Sequence, residues 1–242
     1  MQLILDIGNT RVKLAIYDGP VLCVRAVSSE FTRAWLEVQL TDWDVDKGIL
    51  SATGEIPDWL PPFLTTRMPW FELSHQTPLP FTITYQTPET LGRDRIAGIA
   101  GALALGYSPP LLVIDAGTCV TIDLLDDQFC FPGGSISPGM QMRLEAMHTF
   151  THRLPLIAMD SDINLPGTDT RSALAAGAQM GTVCEIEGQI MRYKEIFPKL
   201  NVVLTGGDQE FLVSRLKSII FAHADLVLAG LNHILNHQTD AG

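Results

Sequence analysis

The chain has 242 residues, enough for a sizeable core and for two lobes of roughly 100 residues each. Hydrophobic residues make up 46% and charged residues 18%, which excludes a disordered or low-complexity protein. The net charge of −11 argues against a nucleic-acid partner, because phosphate backbones require clustered Lys and Arg.

The first residues predict a β-hairpin whose turn can hold phosphate. A strand at residues 3–5 delivers Asp6 to the turn Asp6-Ile7-Gly8-Asn9-Thr10, and a second strand follows from Val12 to Tyr17. Glycine lets backbone approach a ligand, N–H and hydroxyl groups can donate to phosphate, and the aspartate would act through a cation or water. Alone, an ordinary hairpin turn explains the pattern equally well.

The rest of the first half predicts a strand at residues 21–27, a helix at 30–40, a strand at 48–52 and a proline-rich passage from Pro57 to Pro88. A helix then follows Gly92-Arg93-Asp94-Arg95. Asp94 is the candidate general base, because the helix start and the flanking arginines would keep its carboxylate ionised. The alternative is an N-cap aspartate whose arginines form surface salt bridges.

The second half repeats the opening hairpin. Residues 111–125 contain the turn Asp115-Ala116-Gly117-Thr118, and both the aspartates and the glycines of the two turns are separated by 109 residues (115 − 6 and 117 − 8). Two such turns at equal offset favour a duplicated phosphate-binding unit. The predicted domains are residues 1–106 and 107–242, and the fold class is α/β with the active site in the cleft between two lobes.

Further helices are predicted at residues 140–149, 170–197 and 222–236. The strand at residues 202–204 ends at Thr205-Gly206-Gly207-Asp208, whose glycines leave room for a nucleotide base or ribose, although an ordinary strand-to-helix turn explains them almost as well.

Cellular context is predicted from weaker signals. The four cysteines have neither CxxC nor zinc spacing, and no apolar stretch is long enough to span a bilayer. The N-terminus shows no basic start and no cleavage site. We therefore expect a cytoplasmic protein without a membrane partner.

Five ordered motifs together resemble type III pantothenate kinases. They are Asp6 to Lys13, Gly92 to Arg95, Asp115 to Thr118, Gly133 to Gly139, and Thr205 to Asp208. The resemblance implies two ribonuclease H-like lobes of the actin-like ATPase superfamily and a phosphotransferase that uses ATP to phosphorylate the primary hydroxyl of pantothenate, opening coenzyme A synthesis. It also implies a homodimer that requires Mg²⁺ and a monovalent cation, K⁺ or NH₄⁺.

The resemblance also implies roles for individual residues. Asp94 matches the proton acceptor, and Asp115 matches the ligand of the monovalent cation. ATP contacts are implied for Asp6, Ile7, Gly8, Asn9, Thr10, Arg11, Val12, Lys13 and Thr118. Pantothenate contacts are implied for Tyr85, Gly92, Arg93, Asp94, Arg95 and Thr170.

Two other functions remain open at this point. One is a catalytically silent relative that acts as an accessory regulatory protein. The other is a kinase or phosphatase of the same fold with a different small-molecule substrate, since fold alone does not name a substrate.

Overall fold

A computed structural model of the chain describes residues 1–160 and 162–240. The chain is mixed α/β, which confirms the predicted class, and it divides into two compact units. The first comprises Met1–Tyr107, Cys130–Pro132 and the segment from Asp225 onward; the second comprises Ser108–Phe129 and Gly133–Ala224.

The first unit is built on a five-stranded sheet of order β3-β2-β1-β4-β5. Strands β1, β2 and β3 form an antiparallel meander, and β4 and β5 continue the sheet in parallel to β1. The strands are β1 (Gln2–Ile7), β2 (Val12–Asp18), β3 (Val21–Ser28), β4 (Lys47–Ala52) and β5 (Trp70–Glu72), and a separate pair is formed by β6 (Thr82–Ile83) and β9 (Cys130–Phe131).

The second unit repeats this topology. Its sheet has the order β10-β8-β7-β11-β12, again with an antiparallel meander followed by two parallel strands. The strands are β7 (Leu111–Ala116), β8 (Cys119–Leu125), β10 (Gly133–Pro138), β11 (Asn201–Thr205) and β12 (Phe221–Ala222). The duplication predicted from two short motifs therefore extends over five strands in each unit.

Helices flank each sheet. Those of the first unit are α1 (Arg33–Leu40), α2 (Leu60–Thr65), a 3-10 turn (Pro88–Thr90), α3 (Arg93–Ala104) and α8 (Leu226–Asp240). Those of the second are α4 (Met140–Thr149), α5 (Thr170–Ala175), a π-helical turn (Ala176–Met180), α6 (Gly181–Ile196) and α7 (Gln209–Val213). None of the helices in the described part of the chain is long and apolar enough to cross a membrane.

The central strands are buried because each is covered on both faces. Every residue of β1 is buried, as are most residues of its counterpart β7, so both strands read as continuous apolar runs that end in a single aspartate. Because each aspartate lies near the end of a buried central strand, that strand holds the carboxylate where the following turn begins. That is how the fold fixes the positions of Asp6 and Asp115.

Helix α8 packs closely on α3 within the first unit. A Cβ atom added at Gly230 would lie 1.8 Å from the carbonyl oxygen of Ala97, so only glycine permits this approach. Residues 226–240 therefore cluster with the first half of the chain, whereas the sequence analysis grouped them with residues 107–242. The boundary at residue 106 stays a prediction.

Candidate active site

The first Asp-x-Gly turn is a tight connection between β1 and β2. The Gly8 N–H donates to the Arg11 carbonyl at 3.0 Å, and the intervening Asn9 and Thr10 are exposed. A surface cavity of about 380 Å³ adjoins this turn and is lined by Ile7, Gly8, Asn9, Thr10, Arg11, Val12, Ser29, Phe31, Gly54, Glu55 and Pro57. The predicted hairpin is confirmed, while its role in binding ATP stays a prediction.

Asp6 is a buried carboxylate surrounded by polar groups from neighbouring strands. It pairs in register with Lys13 on β2 and with Ser51 on β4, and the Ser51 hydroxyl donates to Asp6 Oδ1 at 3.1 Å. The pKa of the Asp6 carboxyl is raised, mainly by burial and to a smaller extent by the nearby Asp94 carboxylate. The Lys13 ammonium and the Ser51 hydrogen bond lower this pKa but do not cancel the effect of burial. The charges of Asp6 and Asp94 therefore interact within the first unit.

Asp94 lies in the first turn of α3 and is half-buried. The N-cap of this helix is Gly92, so the alternative interpretation of Asp94 as an N-cap aspartate is wrong. Its Oδ1 accepts a hydrogen bond from the Arg95 N–H at 2.9 Å, and a Cβ added at Gly92 would lie 2.5 Å from that oxygen. The carboxylate thus lies directly over the glycine that precedes the helix.

Three predicted substrate residues cluster around the same helix start. Arg95 is only 7% exposed, and its guanidinium lies 5.8 Å from the centre of the Tyr85 ring. Among the described residues, few buried side-chain nitrogen or oxygen atoms lack a hydrogen-bond partner, and Arg93 Nε is one of them. A buried guanidinium nitrogen with spare donor capacity suits an anionic ligand such as a carboxylate.

The second Asp-x-Gly turn repeats the first. The Gly117 N–H donates to the Cys119 carbonyl at 2.9 Å, Asp115 is half-buried, and Thr118 is exposed. The turn at Thr205 to Asp208 packs against it: a Cβ at Gly206 would lie 2.1 Å from the Ala116 carbonyl oxygen, and the Asp208 N–H donates to that oxygen at 3.0 Å. The glycine at 206 therefore serves close packing between two turns.

Thr170 is the first residue of α5 and is exposed. The helix begins with a capping box in which the Asp169 side chain accepts from the Ser172 N–H and the Ser172 hydroxyl accepts from the Asp169 N–H. The Ser172 hydroxyl in turn donates to Asp169 Oδ2 at 2.9 Å. Those hydrogen bonds lower the pKa of Asp169. The cap explains the local sequence, and the predicted contact of Thr170 with pantothenate stays a prediction.

The carboxylates near the two turns are suited to cations that are bound mainly by the phosphates of a nucleotide. Within residues 1–160 and 162–240, no group of three or more His, Cys, Asp or Glu side chains is arranged to hold a metal. Asp6 and Asp115 each supply one carboxylate beside a backbone turn. Mg²⁺ in kinases is commonly bound by one or two carboxylates, waters and substrate phosphates, so this arrangement is compatible with it.

The turn that follows β4 holds residues to which the sequence analysis assigned no role in the site. The N–H groups of Thr53 and Gly54 both donate to the Ile7 carbonyl, at 2.9 and 3.0 Å, and a Cβ at Gly54 would lie 2.6 Å from the Gly8 carbonyl oxygen. The signal was present in the sequence: Ser51-Ala52-Thr53-Gly54 ends a strand as Leu204-Thr205-Gly206 does. Strand register was needed to show that Ser51 lies opposite Asp6.

Known proteins resemble this chain over nearly its whole length. A family model described as type III pantothenate kinase matches residues 62–192. A type III pantothenate kinase from Phocaeicola vulgatus is 41% identical over 240 residues, covering 98% of this chain and 99% of that protein. The chain belongs to the type III pantothenate kinase family.

Solved structures show how the fold of this family member relates to other proteins. A Campylobacter jejuni protein assigned to the Baf family of transcriptional activators matches with a TM-score of 0.63 at 21% identity, covering 98% of this chain and 99% of that one. A glucokinase from an Antarctic psychrotroph matches with a TM-score of 0.54 at 12% identity, with 98% of both chains covered. The type III pantothenate kinase chain therefore has the actin-like ATPase fold that sugar kinases share.

Proposed function

We propose that the protein phosphorylates the primary hydroxyl of pantothenate with ATP, forming 4′-phosphopantothenate in the first step of coenzyme A synthesis. The observation that carries this proposal is the position of Asp94, whose charge acts on Asp6 of the phosphate-binding turn. A candidate base thus lies beside a candidate phosphate site in a chain 41% identical to a type III pantothenate kinase.

ATP contacts the two glycine turns in this proposal. Residues Asp6 to Lys13 hold the β- and γ-phosphates through backbone N–H groups, the Thr10 hydroxyl and the Lys13 ammonium. Thr118 contributes a hydroxyl from the second turn. The exposure of Asn9, Thr10 and Thr118 supports these roles, because their donors are accessible to a ligand.

Pantothenate is held by the residues around the start of α3. Arg93 and Arg95 offer guanidinium groups to its carboxylate, and the spare donor capacity of Arg93 Nε supports that assignment. Tyr85, which stacks near Arg95, and Gly92 complete the contacts of the first unit. Thr170 is proposed as a further contact, on the family resemblance alone.

Asp94 accepts the proton of the pantothenate hydroxyl as its oxygen attacks the γ-phosphorus. The new P–O bond forms while the bond between the γ-phosphorus and the β–γ bridging oxygen breaks, and ADP leaves with that electron pair. Phosphoryl transfer needs charge neutralisation and alignment more than covalent catalysis, so the chain supplies only the base, the phosphate donors and the orientation.

Two cations accompany ATP in the proposal. Asp6 would help to hold Mg²⁺ beside the ATP phosphates, and the cation would neutralise part of their charge. Asp115 holds the monovalent cation, K⁺ or NH₄⁺, with oxygen atoms at the second turn. The half-buried position of the Asp115 carboxylate next to Gly206 supports this assignment.

The family resemblance supports a homodimer, and the substrates support a cytoplasmic location, where ATP is supplied. Several large apolar side chains of the second unit are highly exposed, including Phe150 at 85% and Leu165 at 66%. Exposed side chains of this kind are typical of surfaces that another protein covers.

The decisive experiment measures ADP release from ATP, with Mg²⁺ and K⁺, in the presence and absence of pantothenate, and identifies 4′-phosphopantothenate by mass spectrometry. We expect release that depends on pantothenate and falls when tetramethylammonium replaces K⁺. Asp94→Asn should lower kcat by about 10²- to 10⁴-fold, the usual contribution of a general base.

Asp127→Asn provides the matched control, because this exposed turn carboxylate lies outside the proposed site and should leave kcat unchanged. Folding of both variants is checked by circular dichroism. A folded parent protein that releases no ADP with pantothenate contradicts the proposal. Turnover of a different alcohol would instead support the other small-molecule kinase function.

A further inference from the structure

We propose that Ser51 is a positioning residue of the nucleotide site, and that it acts by holding the carboxylate of Asp6 in one orientation. This inference rests on the proposed role of Asp6 in binding ATP. Ser51 itself contacts no substrate in the proposal. It lies at the end of β4, outside every motif that the sequence analysis identified.

The contact is built into the sheet. Ser51 is 0% exposed and Asp6 is 7% exposed, and they are register partners on adjacent parallel strands. The Ser51 hydroxyl donates to Oδ1 at 3.1 Å. A buried carboxylate needs hydrogen-bond donors, and one bonded oxygen fixes the rotation of the whole carboxylate group, so Oδ2 has a defined direction.

The same strand end also holds the backbone of the phosphate-binding turn. Thr53 and Gly54, two and three residues beyond Ser51, donate their N–H groups to the Ile7 carbonyl next to Asp6. The Ser51 side chain therefore fixes the Asp6 carboxylate, and the main chain of Thr53 and Gly54 fixes the Ile7 peptide group. The hydroxyl is one component of a continuous support.

The second unit repeats the placement. Asp115 is the register partner of Thr205 on the parallel strand β11, as Asp6 is of Ser51 on β4. Thr205 is also buried, at 2% exposure. A hydroxyl-bearing residue is thus the register partner of the turn aspartate in both sheets. Its recurrence in the second sheet argues against a chance placement in the first.

The inference is tested first by nucleotide binding, without turnover. Isothermal titration calorimetry with Mg²⁺ and a non-hydrolysable ATP analogue should show about tenfold weaker binding for Ser51→Ala, the scale expected for a lost hydrogen bond to a charged group. Thr182→Val is the matched control: Thr182 is also 0% exposed and donates its hydroxyl at 2.8 Å, but to the Ala178 carbonyl within a helix. Its affinity should equal that of the parent.

A double-mutant cycle separates positioning from general support. Because Ser51 acts through Asp6, Ser51→Ala should cause no further loss of affinity in an Asp6→Asn background. In steady-state assays, Ser51→Ala should raise the KM for ATP about tenfold and leave the KM for pantothenate unchanged. If the alanine variant does not fold, Ser51→Cys, which keeps the volume but donates weakly, carries the same expectations.

Equal losses of affinity in both backgrounds, or parental affinity in Ser51→Ala, would overturn the inference. A parent that fails to bind the nucleotide analogue would overturn it together with the proposed function. A parent that binds the analogue with the expected Ser51 dependence but does not phosphorylate pantothenate supports the inference and contradicts only the proposed substrate.

Discussion

At the scale of single residues, the geometry around Asp94 is controlled by Gly92. The Asp94 carboxylate lies where a Cβ of residue 92 would be, 2.5 Å from Oδ1. Because the obstructing atom is the end of a side chain, a larger residue at position 92 displaces the carboxylate rather than the backbone. Gly92 therefore determines the position of the Asp94 carboxylate, and we expect it to have little effect on the stability of the fold.

We accordingly predict that Gly92→Ala lowers kcat with pantothenate by about 10²-fold, as displacement of a catalytic group by about 1 Å can do. The thermal unfolding midpoint should change little. Gly188→Ala is the control, because a Cβ at this exposed position in α6 meets nothing within 4 Å. A fully active Gly92→Ala variant, or one with a strongly lowered midpoint, would show that this account of Gly92 is wrong.

Residue identities alone predicted the positions of the two turns, while the chemistry of the turns stays a prediction. Asp6, Gly8, Asp115 and Gly117 lie in two tight turns at strand ends, as their sequence pattern indicated. Ser51 was not predicted, because a serine at the end of an apolar run carries no signal until the strand register places it beside Asp6. The N-cap alternative for Asp94 required the helix to begin at Arg95, two residues later than the actual start at Arg93.

At the scale of elements, α6 is linked to the loop before β12 through one carboxylate. Glu187 accepts hydrogen bonds from the Ser218 N–H at 2.9 Å, from the Ser218 hydroxyl at 2.8 Å and from the Lys217 N–H. Burial acts to raise the pKa of Glu187, but these hydrogen bonds outweigh it and the pKa is lowered. The ionised form is therefore the one that stabilises the fold.

This linkage predicts the pH dependence of stability. A carboxyl whose pKa is lower in the folded state stabilises at pH values above its unfolded pKa, and that contribution disappears as the pH falls through the folded value. We expect Glu187→Gln to lower the free energy of unfolding by about 1 kcal/mol at pH 7, a small value because the side chain is partly exposed. Urea unfolding should show parent and variant converging as the pH falls below 4.5, the ordinary pKa of a glutamate side chain.

The matched control is Glu195→Gln in the same helix, since the Glu195 side chain is 65% exposed and its contact with Arg192 is a surface pair. It should change stability little at any pH. A Glu187→Gln difference that persists undiminished in acid would contradict the assigned cause.

Element prediction succeeded where periodicity was strong and failed where tertiary pairing decided. The helix at residues 140–149 has the predicted bounds, and the predicted helix at residues 170–197 is present but contains the π-helical turn Ala176–Met180. The strand β10 was not predicted, because Gly133, Gly134 and Pro138 disfavour strands and only pairing with β8 makes one. A Cβ at Gly134 would lie 1.8 Å from the Ile122 carbonyl oxygen, which explains that glycine.

At the scale of the whole molecule, the topology of the sheets makes the duplication complete. Both have the order third-second-first-fourth-fifth strand, and both place a turn aspartate at the end of the central strand. The short repeat at an offset of 109 residues predicted a duplication but not its extent over five strands. The return of α8 to the first unit was not predictable from a repeat, because its close packing on α3, which Gly101 and Gly230 permit, is a contact between residues distant in the sequence.

The proposed homodimer gives a prediction for the assembled protein. Sedimentation velocity should show a species of twice the chain mass, and dilution should shift it toward the monomer only at low concentration. High exposure of large apolar side chains such as Phe150 and Ile196 supports this expectation. A monomer at every concentration would contradict it, and activity measured in parallel would show whether assembly is needed for turnover.

Helix α8 has a consequence for how the protein is made. A ribosome translates residues 108–224 before it reaches residue 226, yet the first unit needs that last helix to cover α3 and β1. Most strands of the second unit are therefore synthesised while α3 and β1 of the first unit still lack the helix that covers them. The apolar surface that α8 covers is thus exposed to other chains during synthesis, until residues 226–240 have left the ribosome.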